Sequence, residues 1–203
     1  MSIRVDLKIF AFALLLLLSG QSTTYILLFA FAVIHEMGHL ICGLLLGLKP
    51  VDIKFMPVGL SILFDKTKEK WWKELLVSAS GPIINFIIAI VFLFLNSINK
   101  RDTIIYANLL IGLFNLLPII PLDGGRILKS MLKKFYEERE AEEYVHKLSN
   151  IAVIILTGLS SIGTFYLKNI AVPAIMVYIW AITIKENKRY KIKKRIDGII
   201  SQN

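Results

Sequence analysis

With 203 residues, 56% of them hydrophobic, and a mean hydropathy of +0.65, the chain exceeds the roughly 45–50% apolar usage of soluble domains, which argues against a soluble globular protein. A net charge of +9 would suit nucleic acid, but no nucleic-acid-binding motif accompanies it, and no nucleic-acid partner is expected. Cys42 is the single cysteine, so an intramolecular disulfide is excluded.

Apolar runs able to cross the ~30 Å hydrocarbon core of a bilayer recur along the chain. They predict an all-α polytopic membrane protein with about six transmembrane helices: approximately Val5–Leu18, Thr23–Leu46, Leu75–Leu95, Thr103–Pro121, Ile151–Leu167 and Ile170–Ile184. The first is the weakest, because Asp6 and Lys8 interrupt it; Arg4, Lys8, Ile9–Leu18 and Ser19-Gly20 also follow the order of a cleaved leader. Lys168-Asn169 alone separates the last two, which predicts a tight helical hairpin. With these six spans, every Lys and Arg except Lys100, Arg101 and Lys168 falls on one side. The positive-inside rule then places both termini in the cytoplasm, with the basic tail 185–203 against anionic headgroups. Residues 1–184 read as a single transmembrane domain, without a PDZ or CBS domain.

The second run holds His35-Glu36-Met37-Gly38-His39. On a helix His35 and His39 are one turn apart on one face, so both imidazoles can bind one Zn²⁺. Glu36 is adjacent and can serve a reacting water as general base. Titratable residues at membrane depth are costly and generally functional. Cys42, three residues after His39, is either a further ligand or a small packed residue, and a buried free cysteine is more often the latter.

Between the second and third runs, Val51-Asp52-Ile53-Lys54-Phe55 alternates, Met56-Pro57-Val58-Gly59 punctuates, and Leu60–Phe64 resumes, predicting a short β-hairpin within Lys49–Asp65. Lys66–Lys73 with Trp71-Trp72 reads as an interfacial anchor. In Ser80-Gly81-Pro82-Ile83-Ile84-Asn85, Gly81 permits close helix approach and Pro82 suits a first helical turn. Asn85 should face the bundle interior, to hold a substrate or oxyanion or to bond another helix.

At the end of the fourth run lies Asn115-Leu116-Leu117-Pro118-Ile119-Ile120-Pro121-Leu122-Asp123-Gly124-Gly125. The prolines disturb the helix and the glycines allow a sharp turn, so Asp123 can be aimed at a metal. The alternative is that Asp123 caps a following helix, Gly124–Glu143. The charged stretch Phe135–Lys147 is expected to be a solvated helix, with His146 on it and without a metal role.

His35-Glu36-Met37-Gly38-His39, Gly81-Pro82…Asn85 and Asn115…Pro118…Pro121-Leu122-Asp123-Gly124-Gly125 together resemble the site-2 protease family of intramembrane zinc metalloproteases. The resemblance covers roughly Thr23–Gly125, the family's three-helix core, and looks most similar to the branch containing the stage IV sporulation protease that processes a pro-sigma factor. It implies one zinc per chain on His35, His39 and Asp123, water activation by Glu36, and substrate positioning by Asn85, Gly81, Pro82 and Asn115. It also implies that Lys49–Asp65 is a membrane-associated hairpin. The implied partners are a membrane-associated protein substrate, the bilayer and a regulatory membrane protein, and the implied location is a bacterial cell or forespore membrane. Two rival readings are a catalytically silent relative that binds membrane partners and a metal-ion transporter.

Overall fold

The computed structural model describes residues 2–5, 22–56, 59–64, 70–95, 98, 100–167 and 171–200. It is mostly helical and divides into two compact units, residues 1–116 and 117–203.

In the first unit, the second apolar run forms α1, Ser22–Leu45. Its buried positions Phe31, His35, Gly38 and His39 follow the 3.6-residue period, so the histidines share the inward stripe. Ile34, Met37, Ile41 and Leu44 face outward and are exposed. An apolar outer face on a helix with a polar inner stripe suits a hydrocarbon surround and would be a liability in water. The helix closes with Leu48 N–H donating to the Gly43 carbonyl and Gly47 N–H to Leu44, a Schellman arrangement that turns the chain into the sheet.

That sheet has the order β1-β2-β3, with β1 Ser2–Val5, β2 Pro50–Met56 and β3 Gly59–Phe64. β2 and β3 are antiparallel, with Met56 opposite Gly59. β1 runs parallel to β2, Ser2 opposite Asp52 and Val5 opposite Phe55. Ser2–Val5 was not expected to be a strand, and the rest of the expected first span lies outside the described residues.

Helix α2, Trp71–Phe94, buries Glu74, Val77, Ser78, Gly81, Pro82, Asn85 and Ala89, again at helical spacing. Pro82 lies inside this helix rather than in its first turn, because the helix already begins at the tryptophans. Helix α3, Arg101–Asn115, follows. The Arg101 guanidinium donates from Nε to the Phe92 carbonyl at 2.8 Å and from Nη2 to that of Leu93 at 2.5 Å. It thereby adds a donor to the Phe92 carbonyl, which also accepts the Leu95 N–H at 3.4 Å, and supplies one to the Leu93 carbonyl at the end of α2. Phe31, Ile104 and Ala107 form one apolar cluster with Ile88 and Phe92 packed against it. Leu48, Phe64 and Val77 form a second, against which Cys42 packs.

In the second unit, α4 spans Asp123–Leu132, α5 Glu138–Leu167 and α6 Ala171–Ile200. The expected helix Gly124–Glu143 is thus broken at 133–137. The charged stretch and the fifth apolar run are one continuous helix, because a change from charged to apolar composition does not interrupt helix propensity. Nor is the charged stretch simply wet: Ala141, Val145, His146, Ser149 and Val153 are buried along one face. His146 Nδ1 meets Asn187 Oδ1 at 2.9 Å, and its ring stacks on Tyr190. Glu142 and Glu143 pair with Lys193 and Lys194 at 2.7 and 2.8 Å, tying α5 to α6. The Glu143 carboxylate holds the Lys194 ammonium above its ordinary pKa. The basic segment after Ile184 is the continuation of α6.

Among the described residues, three helices are long and apolar enough to cross a membrane: Ile26–Leu45, Trp71–Phe94 and Glu138–Ile162. Helix α3, with 15 residues, reaches about 22 Å at ~1.5 Å per residue, less than the ~30 Å core. The expected link at Lys168-Asn169 lies outside the described residues.

Candidate metal centre

His35 and His39 are one turn apart on α1, and the ring-to-ring geometry is edge-on, with Nε2 atoms 3.2 Å apart. Both rings are buried. Their outer nitrogens are each held by an acceptor. His39 Nδ1 donates to the Val77 backbone carbonyl at 2.6 Å, and a carbonyl can only accept. The Ser80 hydroxyl donates to the same carbonyl at 2.7 Å. Pro82 removes a backbone donor from α2 in this same region, beside the turn that receives His39. His35 Nδ1 donates to Asn85 Oδ1 at 2.5 Å. With both protons on Nδ1, each neutral ring presents an acceptor Nε2 to the same point.

Asp123 arrives by a different route. Ile119 is almost fully buried, Leu122 N–H donates to the Ile119 carbonyl at 2.7 Å, and Ile120 N–H donates to Ser149 Oγ at 3.1 Å. The Ser149 hydroxyl in turn lies 2.8 Å from the Val145 carbonyl and 3.3 Å from that of Pro118, so α5 anchors the proline loop. The Ile120–Pro121 bond is cis. Gly125 backs directly on this loop: a Cβ there would stand 2.7 Å from the Ile119 carbonyl carbon and oxygen. Asp123 is the first residue of α4, and the N-cap is Leu122 with no side-chain cap bond.

One ligand atom each from His35, His39 and Asp123 lie within 4.8 Å of one another, and all three residues are buried. Two nitrogens ~2.0–2.1 Å from a tetrahedral zinc stand about 3.3–3.4 Å apart, close to the distance between the Nε2 atoms. Two neutral imidazoles and a carboxylate are also a known donor set for a catalytic zinc with one open position. The residues fit the ion. Cys42 is not in this group; it is half-buried against the Leu48, Phe64 and Val77 cluster.

Of the remaining expected residues, Glu36 is half-buried on α1 beside His35. Gly81 does more than allow helices to approach: a Cβ there would stand 2.5 Å from His39 Nε2 and 2.7 Å from His35 Nε2. Asn85 faces the bundle interior, as expected, and both ends of its amide are engaged there, Oδ1 with His35 and Nδ2 with Asn108 Oδ1 at 2.8 Å, the second being the interhelical bond that stood as the alternative to substrate binding. Asn115, at the end of α3, donates from Nδ2 to the Ile111 carbonyl at 3.0 Å. Sequence reasoning missed Asn108 and Ser149. The signal for Asn108 was an amide inside an apolar helix, which needs a partner just as Asn85 does.

The model of peptidase family M50 matches residues 23–100 and 96–159. The chain belongs to peptidase family M50. A zinc metalloprotease of Methanocaldococcus jannaschii is 34% identical over 149 residues, which cover 68% of this chain and 43% of that protein. This chain therefore spans less than half the length of that relative. A solved structure of a site-2 protease from the same organism matches with a TM-score of 0.67 and 27% identity, covering 92% of this chain and 91% of that one. The fold is thus the site-2 protease fold, family and helices together make this a membrane protein, and His35, His39 and Asp123 are positioned to bind a metal ion.

Proposed function

We propose that this chain is an intramembrane zinc endopeptidase that cuts a membrane-associated protein substrate. The observation that carries the reading is the convergence of His35, His39 and Asp123 beside Glu36, on helices with apolar outer faces. Zinc bound there would supply Lewis-acid activation of a water and of the scissile carbonyl. Glu36 accepts the proton of the attacking water and returns it to the leaving amine. With their protons on Nδ1, His35 and His39 would hold the ion from one helix face. Gly81 keeps the opposite wall at backbone distance, leaving room beside the two nitrogens.

β3 is an edge strand of the described sheet, and an extended substrate can add to such an edge through main-chain hydrogen bonds. Extension also exposes the peptide bond that a helical substrate shields. The same reading places the hairpin at the membrane, gives the chain six spans with both termini cytoplasmic, and allows a regulatory membrane protein to control access. What supports that topology is the one-sided distribution of Lys and Arg. Assignment to the sporulation branch, with a pro-sigma factor as substrate, is supported by the six-span plan and by Pro121-Leu122-Asp123-Gly124-Gly125.

The test is a Glu36→Gln variant assayed for zinc and for cleavage of a membrane-protein substrate library. Zinc at the wild-type level with cleavage reduced by at least ~10²-fold, the lower range for general acid–base catalysis, is expected. Undiminished cleavage would sink the proposal.

A further inference from the structure

A hydrogen-bonded chain of two amides links the metal-facing His35 to a backbone carbonyl, and every bond in it has a fixed direction. The Ile104 carbonyl can only accept, so Asn108 must turn its Nδ2 toward it, at 2.9 Å. Asn108 Oδ1 then faces Asn85, which must answer with Nδ2, at 2.8 Å. Asn85 Oδ1 is left facing His35, and Nδ1 of that ring must carry the proton. Asn85 and Asn108 are both completely buried, so no water competes for these bonds. His39 differs: its Nδ1 is held at 2.6 Å by the Val77 backbone carbonyl, which cannot turn a donor toward it, with the Ser80 hydroxyl farther off at 3.4 Å.

We propose that Asn108, through Asn85, is a positioning residue that locks His35 in the tautomer with an acceptor Nε2. The proposal rests on the zinc-site reading and assigns a task to a residue that touches neither metal nor substrate. Its physical basis is that a primary amide can rotate by half a turn. Without the Asn108 acceptor, Asn85 can present its NH₂ to His35 Nδ1, which moves the imidazole proton to Nε2 and blocks that nitrogen as a ligand. Partners of this kind typically alter metal affinity by ~10–100-fold.

The experiment is ¹⁵N NMR of histidine-labelled, metal-stripped full-length protein in lipid, with zinc titration of the same samples. Only three histidines contribute. Wild type should show His35 protonated on Nδ1 alone. Asn108→Leu should give a tautomer mixture and bind zinc ~10–100-fold more weakly. Asn108→Asp keeps an acceptor toward Asn85 in either protonation state and should keep the wild-type tautomer. In the double variant Asn85→Asp, Asn108→Leu, a carboxylate at position 85 offers an accepting oxygen to His35 whichever way it turns and has no NH₂ to present. It should restore the Nδ1–H form and the affinity, a rescue that a merely structural role for Asn108 would not give. A wild-type tautomer and zinc affinity in Asn108→Leu would overturn the proposal. If that variant does not fold, loss of the Nδ1–H form in Asn108→Asp or in the double variant overturns it equally. A failure of the zinc-site reading looks different: wild type would take up no zinc, whatever its tautomer.

Discussion

His35 Nε2 and His39 Nε2 stand 3.2 Å apart, while the Nδ1 atoms of the same rings donate outward to Asn85 and to the Val77 carbonyl. The outer bonds determine what the inner atoms are: two accepting nitrogens directed at one point. A shared cation satisfies both at once, and the Asp123 carboxylate supplies the nearby negative charge.

The wall facing those nitrogens is Gly81, and its missing side chain is a specific requirement. Gly81→Ala should fold yet bind zinc ~5–150-fold more weakly, since forcing a methyl into an occupied space costs ~1–3 kcal/mol. Gly158→Ala is the control, because a Cβ there has nothing within 4 Å. Calorimetric zinc titration of the two proteins should separate them. Equal affinities would mean that the ion sits elsewhere.

Zinc should also stabilise the fold, because it binds three buried groups that the unfolded chain does not assemble. At a free concentration ~1,000 times Kd the contribution is ~4 kcal/mol. Chelation should therefore lower the thermal midpoint of the wild type in detergent and lower that of Gly81→Ala by less, since at the same zinc concentration the weaker site contributes ~1–3 kcal/mol.

Ser149→Ala removes the acceptor for Ile120 N–H and detaches the proline loop from α5. A cost of ~1–3 kcal/mol in stability is expected, with weaker zinc binding because Asp123 is less well held. Gly125→Ala should do at least as much, since the added carbon meets the Ile119 backbone, which cannot rotate away. Thermal unfolding and zinc titration, run side by side, check both effects.

His146 offers a contrast within the same chain. His146→Ala removes a buried bond to Asn187 and a stacked ring, and should cost ~1–3 kcal/mol while leaving zinc content unchanged. Glu143→Gln, which weakens exposed ion pairs, should cost less than ~1 kcal/mol. A fall in zinc content in His146→Ala would mean that the third histidine serves the metal.

The parts of the site legible in the sequence were those with a local rule. Four-residue spacing places His35 and His39 on one face of any helix, and the prolines and glycines around Asp123 announce a broken backbone. Long-range pairing was not legible. Ser2–Val5 holds an arginine and only four residues, and becomes a strand because β2 lies alongside it. Asn108 stands in no motif, and its meaning depends on Asn85 lying within reach on the neighbouring helix. The continuous α5 was hidden because composition changes along it from Glu-rich to Ile-rich although its backbone does not. Pro82 was misplaced for a related reason: tertiary contacts carry α2 through it from the tryptophans onward.

The most direct measurement is the zinc content of the detergent-purified protein in wild type, Glu36→Gln and Asp123→Ala. About one zinc per chain in the first two and essentially none in the third is the predicted result, since a buried two-histidine site without its carboxylate lacks a third protein ligand. Full zinc retention in Asp123→Ala would contradict the three-residue centre on which the proposed protease rests.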